Sequence, residues 1–102
     1  MSENLLNLVN TIRERKNKDK DKSYTSSLLS GGLTKCIDKM EEEFGELKEA
    51  LNDKSNEVHE AADTIYHILV TLEAANVKFE DVLQELENRK NQSGIEEKNN
   101  RK

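Results

Sequence analysis

The sequence predicts an all-α fold, an antiparallel helical bundle built by a single domain over residues 1–102. Three observations carry this. Proline is absent and glycine is confined to Gly31, Gly32, Gly45 and Gly94, so little interrupts a helix. Between Leu28 and Leu86 the apolar residues recur at spacings of three and four, the helical period, with no strand signal. Hydrophobic residues make up 33% of the chain and charged residues 36%, too lean a balance to cover a core alone, so a second copy is expected to complete the bundle as a homodimer.

The elements follow in order. Residues 3–14 place Leu5, Leu6, Val9 and Ile12 on one face of a short amphipathic helix. Residues 13–23 form a polar segment that alternates Lys with Asp and Asn. It reads as a solvated linker, or alternatively as a mobile basic loop that helps bind phosphate. Ser23 to Leu29 suits a short helical turn, closed by Ser30-Gly31-Gly32. A long helix from Leu33 to Leu51 carries the stripe Leu33, Cys36, Ile37, Met40, Phe44, Leu47 and Leu51. Gly45 costs about 1 kcal/mol there relative to Ala, a cost that close approach of another helix would explain. Asn52 to Ser55 is the turn, with Asp53 or Ser55 expected to cap the next helix. That helix, about Asn56 to Asn76, has an apolar face of Val58, Ala61, Ala62, Ile65, Leu69 and Leu72. Glu60, Asp63 and His67 align on its other side, so it should be the most buried element, with a polar site on a covered face. Phe79 to Arg89 forms the last helix, with Phe79, Val82, Leu83 and Leu86 inward. Residues 91–102 have one apolar residue, Ile95, and read as a flexible tail.

Composition excludes several functions. A net charge of −5 argues against nonspecific nucleic-acid binding. There is no long apolar run and no signal-peptide pattern, so no membrane association and a cytoplasmic location are expected. Cys36 is the only cysteine, so no intramolecular disulfide can form; its place on the apolar stripe makes it a small core residue.

The chemistry lies between Lys35 and His67. Two acidic clusters, Glu42-Glu43-x-x-Glu46 and Glu60-x-x-Asp63, sit at helical spacing on either side of a turn. At about 100° per residue, Glu43, Glu46 and Lys39 share one flank of the first stripe, and Glu42 and Lys35 point further out. Two antiparallel helices would bring these carboxylates together, the arrangement that helical bundles use for metals. An all-oxygen donor set suits Mg²⁺ rather than Zn²⁺. The alternative is a set of solvated acidic faces. Against it, Glu60 and Asp63 occupy an otherwise buried helix, where an unpaired carboxylate is costly. His67 could bind substrate or act as a satisfied, half-buried histidine. Tyr24 and Tyr66 read as packing residues rather than stacking platforms.

Taken together these residues resemble the phosphoribosyl-ATP pyrophosphatase family of histidine biosynthesis, within the MazG-like nucleotide pyrophosphohydrolases. The resemblance covers roughly Leu5 to Lys98, and its matching pieces are SYTSSLLSGGLTKCIDKM, EEFGE, EAADTIYHILVTL, FEDVLQELENR and SGIEEK. The resemblance implies Mg²⁺-dependent hydrolysis of the α–β phosphoanhydride of 1-(5-phosphoribosyl)-ATP, giving pyrophosphate and phosphoribosyl-AMP, by a compact helical dimer. It makes Glu43, Glu46, Glu60 and Asp63 metal ligands. Glu42 becomes a further ligand or a positioner of water, with the Glu42-Glu43 pair supplying the proton acceptor. Lys35, Lys39, His67 and the tail residue Lys98 become substrate contacts. Two positions depart from the family's habit. Glu41 stands where Gly usually precedes the Glu pair, and Gly45 stands where a bulkier residue is common. Many members are fused to a cyclohydrolase, for which 102 residues leave no room. The same scaffold also suits a house-cleaning (deoxy)nucleoside triphosphate hydrolase, and a non-enzymatic helical interaction protein is the third reading.

Overall fold

A computed structural model describes residues 2–16, 18 and 23–90. Its helices are α1 (Ser2–Arg15), α2 (Tyr24–Ser30), α3 (Leu33–Asp53), α4 (Glu57–Ala74) and α5 (Phe79–Lys90), with no strand among the described residues. The tail at 91–102, Lys98 included, lies outside the described residues.

The α3–α4 hairpin is the frame. The Thr64 hydroxyl lies 2.8 Å from the Glu60 carbonyl of its own helix and 3.2 Å from the Glu43 carbonyl of α3. Two turns later Thr71 repeats this, 2.7 Å from the His67 carbonyl and 3.2 Å from that of Cys36. As α4 numbers rise the α3 numbers fall, so the helices run antiparallel. Between them the chain reverses through Lys54 and Asn56, both left-handed at φ 56° and 60°. Neither Asp53 nor Ser55 caps α4: Asp53 ends α3, and the cap position is Asn56, without a side-chain hydrogen bond. Left-handed turning, rather than a capping side chain, reverses the chain here. At the other end of α3, Gly32 enters the helix at φ 90°, a conformation that favours glycine.

The core is assembled from every helix. Val9 and Ile12 of α1, Leu28 of α2, Cys36 of α3, Leu69 and Val70 of α4 and Phe79 of α5 are buried together. Fully burying an Ile, Leu or Val contributes about 1.5–3 kcal/mol. The Cys36 thiol is held up by burial and donates to the Leu28 carbonyl at 3.4 Å, so it packs α3 on α2.

Three expectations need correction. Arg13 does not begin a linker; it lies inside α1, and its guanidinium meets Glu80 at 2.6 and 2.9 Å and Glu73 at 3.4 Å. Lys16 continues the contact, donating to Asn76 Oδ1 at 2.8 Å and to the Glu73 carbonyl at 3.1 Å. These long-range partners bind the end of α1 to α4 and α5, which no local pattern reveals. Next, α4 contributes Thr64, His67, Leu69, Val70 and Thr71 to the interior, more than any other helix, but its inward side is largely the polar one. Val58 is 85% exposed and Ile65 49%. On α3, Leu33, Ile37, Phe44 and Leu51 are likewise exposed, and so is Leu86 of α5. The apolar stripes are wider than one chain covers. Finally, no helix of this chain makes the close approach at Gly45: among the described residues an added Cβ would meet nothing within 4 Å.

Candidate active site

The hairpin register sets the acidic clusters opposite one another. Glu43, Glu46 and Glu60 bring ligand oxygens within 4.8 Å of one another, and His59, Glu60 and Asp63 form a second group by the same measure. Glu60 belongs to both, so the two groups are contiguous. Glu43 Oε2 and Glu60 Oε1 are buried, and no hydrogen-bond partner reaches either among the described residues. Buried carboxylate oxygens are ordinarily satisfied. Burial raises the Glu43 carboxyl above its usual range, Glu46 and Asp63 add to the effect, and His67 opposes it. Such oxygens fit a hard divalent cation.

Around this centre the other predicted residues separate. Glu42 is exposed and lies 3.6 Å from the Lys39 ammonium, on the flank of α3 that carries Glu46. Lys35 is exposed at the start of α3, its stem lying over Gly31.

His67 takes the second of the two places its spacing allowed, that of a satisfied histidine. It is 4% exposed, and both ring nitrogens are engaged. Nδ1 lies 2.8 Å from the Asp63 carbonyl, which can only accept, so Nδ1 carries the proton of the neutral ring. Nε2 then accepts from the Tyr24 hydroxyl at 3.2 Å. Glu43 Oε1 is 3.9 Å from Nδ1. In this arrangement His67 joins α2 to the carboxylate-bearing helices and turns no free nitrogen outward. Tyr66 packs edge-to-face on His67, with centroids 5.0 Å apart, and its hydroxyl bonds that of Thr25.

Sequence reasoning passed over His59, whose Nε2 lies 3.2 Å from Asp63 Oδ2. The i, i+4 spacing from Asp63 was the available signal. It also passed over Ser23, whose hydroxyl accepts from the Ser26 amide and caps α2. The run of small hydroxyl residues before an apolar pair was the sign of that cap.

Comparison with known proteins agrees with this arrangement. Residues 5–90 match the family described as phosphoribosyl-ATP pyrophosphohydrolase. The chain is 44% identical over 97 residues to a phosphoribosyl-ATP pyrophosphatase of Paracoccus denitrificans, covering 93% of this chain and 90% of that protein. A protein of the same name from Roseobacter denitrificans is 46% identical over 96 residues, covering 92% and 91%. The histidine biosynthesis bifunctional protein HisIE of Helicobacter hepaticus is 46% identical over 97 residues, which make up 93% of this chain and 42% of that longer protein. On the extent of these matches, the chain belongs to the phosphoribosyl-ATP pyrophosphohydrolase family.

Proposed function

We propose that this chain hydrolyses the α–β phosphoanhydride of 1-(5-phosphoribosyl)-ATP in the cytoplasm, releasing pyrophosphate and phosphoribosyl-AMP, with Mg²⁺ as cofactor. Family membership supports the reaction class. The observation that carries the site is the pair of unpartnered buried oxygens, Glu43 Oε2 and Glu60 Oε1, in a cluster with Glu46.

Glu43, Glu46, Glu60 and Asp63 would hold the cation. The chemistry that bound Mg²⁺ supplies is neutralisation of phosphate oxygens and acidification of water. The protein's own groups do the rest. Lys39 and Lys35 offer ammonium groups to the phosphates from the α3 flank. Glu42 lies outside the clustered carboxylates and is exposed, so it is the side chain available to take a proton from the attacking water. His67, fixed by Tyr24 and the Asp63 carbonyl, holds its N–H edge toward Glu43 and limits where that carboxylate can move. Lys98 remains a candidate substrate contact by family resemblance.

The exposed ridges Ile37, Phe44 and Leu51 of α3 and Val58 and Ile65 of α4 support a homodimer packed through the outer face of the hairpin. Light scattering should give twice the 11.7 kDa chain mass, and Phe44→Glu with Ile65→Glu should give the single mass.

The deciding experiment is release of pyrophosphate from phosphoribosyl-ATP by the purified protein with Mg²⁺. Turnover that disappears with EDTA and with Glu60→Gln is expected. Absence of turnover, or preference for ordinary deoxynucleoside triphosphates in a substrate panel, would overturn the assignment.

A further inference from the structure

The carboxylates account for a polyphosphate and leave the flat aromatic base of a nucleotide without a partner. The chain has two tyrosines, two phenylalanines and no tryptophan. Phe79 is buried in the core. Phe44 is exposed with Ile37 and Leu51, about 160° around α3 from Glu46. Tyr66 is partly buried against the core. Tyr24 remains, 55% exposed.

Its orientation is the reverse of the usual one. A tyrosine near a surface ordinarily buries its ring and wets its hydroxyl. Here the hydroxyl turns inward to His67 Nε2 at 3.2 Å while the residue as a whole stays more than half exposed. The ring is held on one side by Tyr66, centroids 6.4 Å apart and planes inclined by 22°. The His67 ring meets it edge-on at 6.0 Å. His67 is in turn tied to the Asp63 carbonyl, so the position of Tyr24 is referred to the carboxylate-bearing helix. Lys39, Glu43 and Glu42 are its charged neighbours. Folding alone gives no reason to fix an aromatic ring so firmly and leave it uncovered.

We infer that the outer face of Tyr24 is the platform on which the purine base of the nucleotide stacks. The inference rests on the nucleotide hydrolase reading above and extends it to the base. A stack made equally with substrate and transition state contributes uniform binding, so its loss raises KM and spares kcat.

The test compares Tyr24→Leu and Tyr24→Phe with the wild type on phosphoribosyl-ATP and Mg²⁺, with inhibition by Mg²⁺-pyrophosphate as a control that has no base. Tyr24→Leu should raise KM about tenfold over Tyr24→Phe, within the range for one base–aromatic stack, with kcat and pyrophosphate inhibition alike in the two variants, since both lack the hydroxyl that bonds His67. Tyr24→Phe, which keeps the ring and loses the hydroxyl, should recover most of the KM. Three outcomes overturn the inference: an unchanged KM in Tyr24→Leu, a Phe variant as impaired as the Leu variant, or pyrophosphate inhibition that weakens in step with KM. If wild type does not turn over phosphoribosyl-ATP, the reaction assignment fails separately. Saturation-transfer NMR with AMP then decides. Transfer from the Tyr24 ring to the adenine protons of wild-type complex upholds the platform, and its absence overturns it. The same NMR measurement on wild type decides the matter if circular dichroism shows the Leu variant unfolded.

Discussion

The Thr64 hydroxyl lies 3.2 Å from the backbone carbonyl of Glu43, and this contact sets which turns of α3 and α4 face each other. Thr71 makes the same contact with the Cys36 carbonyl. Both hydroxyls also sit close to the carbonyl four residues back on α4, so each is shared between its own helix and its neighbour. Thr64→Val keeps the shape and removes the hydroxyl. A typical net hydrogen bond contributes about 0.5–1.5 kcal/mol, so Thr64→Val and Thr71→Val should each lower unfolding free energy by about 1 kcal/mol. The sites are about 10 Å apart along α4, so the double variant should show the sum. Urea unfolding with unchanged m-values checks this.

Glu43 sets function against stability. Its folded pKa lies above the ordinary 4.5, first through burial and then through Glu46. The favourable contribution of a raised carboxyl is complete below the unfolded value and is lost as pH climbs through the folded one. At neutral pH the charged Glu43 therefore burdens the metal-free fold. Glu43→Gln should raise Tm in EDTA while removing activity by more than about 100-fold, the upper end for disturbing even the groups behind metal ligands. Mg²⁺ should raise the Tm of wild type by mass action and that of the variant much less. Thermal unfolding with and without Mg²⁺ reads both effects. A Tm in EDTA that falls in the variant would contradict the argument.

The acid side of the stability profile should report a different pair. The Arg13 guanidinium holds the Glu80 carboxyl well down, at about 2 against an ordinary 4.5. A depressed carboxyl contributes fully above its unfolded value and loses that contribution as pH falls through the folded one. Stability should therefore decline between pH 4.5 and about 2, and Glu80→Gln should flatten part of that decline. Because Glu80 is exposed, added salt should shrink the difference between the two proteins. Circular-dichroism melts across a pH series at two ionic strengths test it.

The helices were legible because their signal is local: three-four spacing in α3 and α4, and glycines that stop α2. The confrontation of Glu43 and Glu46 with Glu60 was legible too, since a short turn between two long helices leaves little freedom. A polar site on a covered face of α4 was legible as well, but the exposure of part of its apolar face was not. Val58 and Ile65 are apolar and look like core, and only the packed chain shows that the hydroxyls of Thr64 and Thr71 win the inner position by bonding α3 carbonyls. Periodicity tells which residues share a face, and it does not tell which molecule covers that face. The Arg13–Glu80 pair spans 67 positions and leaves no trace in local pattern. Tyr24 does pack, on Tyr66 and His67, as its residue type suggests, but the anchor of that packing was not legible. Its hydroxyl turns inward to a residue 43 positions away, beyond the reach of local pattern.

Gly45 provides the last test, because it separates intrinsic propensity from packing. It lies in the interior of α3, exposed, with open space where a Cβ would stand. At about 100° per residue it sits between the Glu42 and Glu46 flank, about 60–100° away, and the Phe44 and Leu51 ridge, about 100–120° away on the other side. Alanine would restrict the unfolded chain and meet no obstacle in the folded one. Gly45→Ala should therefore stabilise the protein by about 0.5–1 kcal/mol, with KM and oligomeric mass unchanged. A destabilised Gly45→Ala protein would mean that something outside the chain approaches α3 closely at that point. A normal mass with altered KM would place that approach on the substrate side, and a halved mass would place it in the dimer.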